Sequence, residues 1–144
     1  AFLSWRPGDD VYHLRNESTS WGLLRPSTLL LEDPLVAVLA ESGVVRRLLL
    51  YLLEAHRFRV LLARDVEGLL RLLKSRPKGV ILQGEKAVEA ARKVRATPEG
   101  RLASLYLVSE TPPGLLLRPL RLLHLPKPLR SQEVLKALEP LRRG

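Results

Sequence analysis

The stretch LLLEDPLVAVLAESGVVRR, Leu29 to Arg47, contains two apolar runs, and each ends in acid. The first ends in Glu32-Asp33-Pro34 and the second in Ala40-Glu41-Ser42. In a parallel sheet, carboxylates just beyond a strand's carboxyl end are placed to hold a cation, so the fold's chemistry depends on which run is that strand. Leu35–Leu39 is unbroken Leu, Val and Ala, the composition of a strand covered on both faces. Ser42-Gly43 breaks the run, and Val44–Ala55 follows with helical spacing.

The same alternation continues outward. Phe58–Leu62 reads as a second strand, and Asp65 as the cap of a helix with Val66, Leu69, Leu70 and Leu73 on its apolar face. Pro77-Lys78-Gly79 is a turn into a third short strand, Val80–Leu82. Glu85–Ala96 is helical, with Ala87, Val88, Ala91 and Val94 on one side, and Ser104–Val108 is a fourth strand. Pro112-Pro113-Gly114 then leaves room only for a weak helix before Arg118-Pro119, because proline is confined to a helix's first turn. Leu122–Leu125 is the fifth strand, and Ser131 caps a last helix with Val134, Leu135, Leu138 and Leu141 inward. Alternating strands and helices imply an α/β fold, a parallel sheet with right-handed crossovers and helices on both faces. Its site lies beyond the carboxyl ends of the strands.

Residues 1–34 differ from residues 35–144 and read as an N-terminal extension, polar and turn-rich, with Val11–Leu14 as a short strand. The extension holds both tryptophans, Trp5 and Trp21, which in so polar a stretch are expected to pack onto the body or a partner. The net charge of +9 is uneven: residues 1–33 carry −2, and residues 34–144 carry +11. A basic body suits nucleic acid or acidic protein surfaces, though charges of this kind also serve as solvated helix faces. The absence of cysteine excludes disulfides, thiolate zinc sites and cysteine nucleophiles. His13, His56 and His124 fit no ligand spacing, and no phosphate-binding glycine loop or Ser-His-acid set is present. No apolar run reaches the roughly 18 residues of a membrane span, and AFLSWRPGDD lacks the pattern of a signal peptide, so a cytoplasmic protein without cofactor is the expectation.

Three stretches carry a family resemblance: VAVLAESGVVRRLLLYLLEAHRFRVLLARDVEGLLRLL, RPKGVILQG and LPKPLRSQEVLKALEPL. Together they resemble the receiver domain of two-component response regulators over about residues 35–142. The resemblance implies a flavodoxin-like, doubly wound, five-stranded parallel sheet of order 2-1-3-4-5. Here the fourth helix would be short or irregular. It also settles the opening question. In the family the first helix starts a few residues after the acidic pair, and Glu41-Ser42 stands at that distance from Val45-Arg46-Arg47. Glu32-Asp33-Pro34 is then a turn leading into the sheet, with Pro34 unable to donate to a ladder. The competing register would squeeze a second strand between motif and helix.

The family's chemistry uses two acids for a divalent cation, an aspartate phosphoacceptor, a hydroxyl and a lysine. The aligned positions are Glu41, Ser42, Gln83, Ser109 and Lys127. Gln83 offers a neutral amide where a carboxylate nucleophile is required, and Ser42 lacks the charge of a cation-holding acid. The resemblance therefore implies a degenerate pocket with no metal and no catalysis. Within it Ser42 is expected to cap the first helix, Lys127 to pair with Glu41 or else to be a solvated turn lysine, and Gln83 to bond Lys127 or Ser109, or else to cap the next helix or face water. The Lys127-Pro128 bond is expected to be cis, as is frequent in the family. Leucines 48–50, Tyr51, Leu52 and Leu53 leave the first helix little polar surface, and Leu115–Leu117 repeat the pattern. Leu50, Tyr51, Leu53, Leu115 and Leu116, with Trp5 and Trp21, are the candidate interaction surface. The expected function is a phosphorylation-independent regulatory module acting by protein–protein interaction, with a second copy among the candidate partners. The alternatives are a basic nucleic-acid-binding regulator and a phospho-receiver using another acceptor, such as Glu85 or Ser109.

Overall fold

A computed structural model describes residues 2–4, 11–15 and 33–143, the side chains of the first two segments and of Arg143 excepted. The first parallel strand is β3, Leu35–Ala40, which follows β1 (Phe2–Ser4) and β2 (Val11–Arg15). It leads into α1 (Gly43–Ala55), then β4 (Arg59–Ala63), α2 (Val66–Leu72) and a 3₁₀ turn, Leu73–Ser75. Next come β5 (Gly79–Gln83), α3 (Ala87–Arg95), β6 (Ser104–Ser109) and a 3₁₀ segment, Leu115–Leu120. β7 (Leu122–Pro126), α4 (Ser131–Leu138) and α5 (Pro140–Arg143) complete the order.

The parallel strands lie in the order β4-β3-β5-β6-β7, the 2-1-3-4-5 arrangement of a flavodoxin-like sheet. β3 sits between β4 and β5, and Val36, Ala37 and Val38 are wholly buried. Side chains on a strand alternate between faces, so Val36, Val38 and Ala40 join one core with Leu49 and Leu53 of α1 and Val134 and Leu138 of α4. Ala37 and Leu39 join the opposite core, with Leu69 of α2 and Ala90, Ala91 and Val94 of α3. Each buried leucine or valine contributes about 1.5–3 kcal/mol relative to exposure, and β3 anchors both layers.

The sheet continues past β4. β2 pairs antiparallel with β4, placing Val11 opposite Ala63, and β1 pairs antiparallel with β2. A five-stranded sheet was expected, and the strand at residues 11–14 was legible, but its pairing and β1 were not. Without β2, β4 would present an open row of N–H and C=O groups, and the added strands satisfy them. Trp5 and Trp21 lie outside the described residues.

Most helix ends follow the sequence. Ser42 accepts the Val45 N–H at 3.3 Å and Asp65 the Gly68 N–H at 2.8 Å, each as an N-cap. The expected cap at Ser131 is corrected: Arg130 occupies that position without a side-chain bond, and Ser131 begins the helix. The fourth crossover is the irregular one, a 3₁₀ segment with Pro119 inside it. The Lys127–Pro128 bond is cis.

Two candidate surface residues are corrected. Leu50 and Leu53 are 6% and 0% exposed, because the buried side of α1 also takes in Val45, Leu49 and Leu52 and shares a core with the last helices. The outward stripe is instead Val44, Leu48 and Tyr51, spaced four and three residues apart, with Tyr51 77% exposed. Leu115 and Leu116 are exposed as expected. Among the described residues, no helix is long and apolar enough to cross a membrane.

Candidate functional site

Parallel pairing brings the carboxyl ends of four strands to one rim. Ala40 is level with Gln83, Gln83 with Val108, and Ser109 with Pro126. Glu41, Ser42, Gln83, Ser109 and Lys127 therefore all lie at the ends of β3, β5, β6 and β7, as the alignment placed them. Asp33 lies at the other end of β3, buried in the turn before it. Arg59 Nε donates to its carbonyl at 2.8 Å, and Arg57 Nε stands 3.9 Å from its carboxylate. Asp33 and Pro34 thus sit a full strand length from the rim.

At the rim, backbone N–H groups engage the side-chain oxygens of β3 and β5. Gln83 Oε1 accepts the Ser42 N–H at 2.9 Å, while the Glu41 N–H donates to the Gln83 carbonyl at 3.1 Å. Both bonds run from N–H groups just beyond β3 to the two oxygens of Gln83, and they tie the two strand ends together. Glu41 Oε2 accepts the Lys86 N–H at 3.0 Å, one residue before α3 begins, where a carboxylate also meets the positive end of the helix dipole. The contact needs Gly84, which takes φ = +121° directly beneath Glu41. A Cβ there would stand 2.4 Å from Glu41 Cδ, so only glycine lets the carboxylate pass over the turn. Arg46, in the first turns of α1, folds back so that Nη1 donates to the Ala40 carbonyl at 2.9 Å. A guanidinium thus stands beside the last peptide of β3.

The other half of the rim is separate in its bonding. Ser109 Oγ donates to Thr111 O at 2.6 Å, and its carbonyl accepts the Lys127 N–H at 3.1 Å and His124 Nε2 at 2.9 Å. A carbonyl only accepts, so His124 carries its proton on Nε2 and clamps β7 to β6. Of the two readings of Lys127, the pair with Glu41 is not formed: among the described residues no ion pair joins them, Glu41 Oε2 accepts the Lys86 N–H, and Lys127 is an exposed turn lysine. Gln83 likewise bonds neither Lys127 nor Ser109: its Oε1 accepts the Ser42 N–H, just beyond the end of the neighbouring strand β3. Among the described residues, no group of three or more His, Asp or Glu side chains is placed to hold a metal ion.

The sequence pointed to the five aligned positions but missed Gly84, Lys86 and Arg46. The signal for the first two was present in the short turn from Gln83 to Ala87, which leaves α3's first N–H groups within reach of β3. Nothing in the sequence marked Arg46 as folding back.

No family model matches the sequence, and no curated protein matches it. Solved structures do. The chemotaxis response regulator CheY4 of Vibrio cholerae superposes with a TM-score of 0.68 at 17% identity, over 75% of this chain and 98% of that one. The chain has the receiver-domain fold. A receiver domain of a sensor histidine kinase from Pseudomonas aeruginosa PAO1, with a magnesium ion coordinated in its active-site cleft, gives a TM-score of 0.61 at 16% identity, over 78% and 99% of the two chains. The pseudo-receiver domain of the CikA protein gives 0.57 at 22% identity, over 75% and 96%. In all three, nearly the whole receiver domain is matched, and the quarter of this chain left over exceeds the receiver fold.

Proposed function

We propose that this receiver fold is a regulatory module that works through protein–protein contact, without phosphorylation at the rim and without catalysis. One observation supports the reading: Gln83 occupies the position that the resemblance aligns with the phosphoacceptor, and its amide oxygen accepts the Ser42 N–H. An amide oxygen is a poor nucleophile and forms no stable acyl phosphate.

The magnesium ion that accompanies this chemistry does not fit the residues present. Mg²⁺ takes hard oxygen ligands, carboxylates among them, in near-octahedral geometry. Of the two aligned cation-holding positions after β3, only Glu41 is a carboxylate, and its Oε2 is held against the Lys86 N–H. Ser42 is an N-cap, and the Arg46 guanidinium stands by with the wrong sign of charge. The contacts that a phosphate would recruit are replaced by permanent ones between β3, β5 and the start of α3. The likeness to the CikA pseudo-receiver domain supports the same reading. The exposed stripe of Val44, Leu48 and Tyr51 and the exposed Leu115 and Leu116 are the apolar surface on which contact is proposed.

Incubation with acetyl phosphate and Mg²⁺, followed by intact-mass measurement, tests the proposal. The mass is expected to stay unchanged, both in the natural chain and in Gln83→Asp, which still lacks the second acid at Ser42. A gain of one phosphoryl group by the natural chain, on Glu85, Ser109 or elsewhere, overturns the reading; a gain by Gln83→Asp alone overturns its metal argument.

A further inference from the structure

Away from the rim, the irregular fourth crossover leaves a cleft of about 380 Å³ between the 3₁₀ segment Leu115–Leu120 and the first residues of β7. Its size falls within the roughly 300–1,000 Å³ range of small-molecule sites. Pro113, Leu117 and Leu122 give it an apolar wall, and Leu117 and Leu122 are braced from behind by the core under α3. Arg118 and Arg121 give it two cationic groups, and among the described residues no acid lines it.

The arginines are not equivalent. Arg121 is fixed: Nη2 donates to the Arg101 carbonyl at 2.8 Å, and its backbone takes φ = 54° after the 3₁₀ segment. Arg118 is exposed, and among the described residues its side chain has no acidic partner. Behind Arg121 lies Arg95, whose guanidinium donates to the carbonyls of Leu120, Gly100, Arg101 and Ala103 at 2.7–3.0 Å. Burial, and then the like charge of Arg121, lower the Arg95 pKa from the ordinary arginine value. Positive charge is thus gathered on one side of an apolar cleft, bonded among the described residues to backbone carbonyls, so an anion entering it meets attraction from several groups at once.

We propose that this cleft binds a small acid in which an anionic head, carboxylate or phosphate, is joined to an apolar body. The head lies against Arg118 and Arg121, and the body lies along Pro113, Leu117 and Leu122. Gly114 forms the open side: its backbone is extended, and a Cβ added there meets nothing within 4 Å. A side chain introduced at Gly114 therefore enters open space without straining the backbone. This site is separate from the rim at Gln83, and it stands or falls independently of the phosphorylation reading.

The full chain, labelled with ¹⁵N, tests the proposal by titration with octanoate, octyl phosphate, octanol and octylamine. The two acids are expected to give saturable amide shifts at Gly114, Leu117 and Arg121, and the relative affinity of the two identifies the preferred head group. Octanol and octylamine are expected to bind far more weakly. Arg118→Glu is expected to weaken octyl phosphate about tenfold or more, the loss of one charge-assisted hydrogen bond. Gly114→Leu is expected to weaken it by occlusion while the rest of the amide spectrum stays in place. Octanol binding as tightly as the acids, no saturable shift with any probe, or both variants binding as the natural chain does, each overturns the proposal.

Discussion

Replacing Gly84 by alanine strikes the rim at its tightest point. The backbone there has φ = +121°, a conformation that costs an L-residue about 1–3 kcal/mol. The new Cβ would also stand 2.4 Å from Glu41 Cδ, so the carboxylate must swing away and give up the Lys86 N–H. That bond is charge-assisted but exposed, which limits its loss to about 1 kcal/mol. Gly84→Ala is therefore expected to destabilise the chain by about 2–4 kcal/mol, read from urea denaturation followed by far-ultraviolet circular dichroism. The two contributions separate in a double-mutant cycle with Glu41→Ala. In that background no carboxylate remains to displace, and Gly84→Ala is expected to cost about 1 kcal/mol less. A cost equal in both backgrounds would show that Glu41 does not rest on the Gly84 turn, and the account of the rim would lose its geometric basis.

Other perturbations reach the frame that holds the rim. Arg95→Ala strips hydrogen bonds from the carbonyls of Gly100, Arg101, Ala103 and Leu120, and a loss of about 3 kcal/mol is expected on denaturation. Arg95→Lys is expected to recover little of it, since an ammonium lacks the planar fork that spans several carbonyls. Tyr106 Oη donates to the Ala137 carbonyl at 2.9 Å, and Tyr106→Phe is expected to cost about 1 kcal/mol near neutral pH. Burial raises the Tyr106 pKa, opposed by a hydrogen bond from Ser104. The group's contribution is accordingly full below the unfolded tyrosine value of about 10 and falls as pH rises through the raised folded value. The stability gap between the natural chain and Tyr106→Phe should narrow over that alkaline range, and a gap that widens contradicts the assignment. Arg76 is an exposed residue at φ = 55°, where glycine carries no Cβ penalty. Relief of about 1–2 kcal/mol, offset by glycine's larger unfolded-state entropy, makes Arg76→Gly neutral to stabilising by up to about 1 kcal/mol in the same denaturation assay.

Much of the parallel core was legible because periodicity and burial agree along it. Leu35–Leu39, Val80–Leu82 and Ser104–Val108 all fall inside observed strands. The proline-rich stretch after Ser109 was legible for the same reason, since Pro112, Pro113 and Pro119 leave no room for a regular helix. β1 was hidden because three residues carry no period, and its strand character comes entirely from pairing with β2. Leu50 and Leu53 were misread because a run of leucines does not say how wide a stripe a helix buries. At the rim, positions were legible and bonds were not. Strand ends fix where Glu41 and Gln83 stand, but their partners are backbone N–H groups, which every residue but proline carries and no sequence pattern marks. The pull of Lys86 N–H on Glu41 is a property of the Gly84 turn, three-dimensional in origin.

The central claim is that Glu41 Oε2 and Gln83 Oε1 accept the chain's own N–H groups and that this rim gathers no divalent cation. Titration of the ¹⁵N-labelled chain with Mn²⁺ reads this directly, because a bound paramagnetic ion broadens the amides around it. The account predicts no selective, saturable broadening at Glu41, Ser42, Gln83 and Gly84 at millimolar Mn²⁺. Selective broadening of those four amides, reversed by excess Mg²⁺, would contradict it.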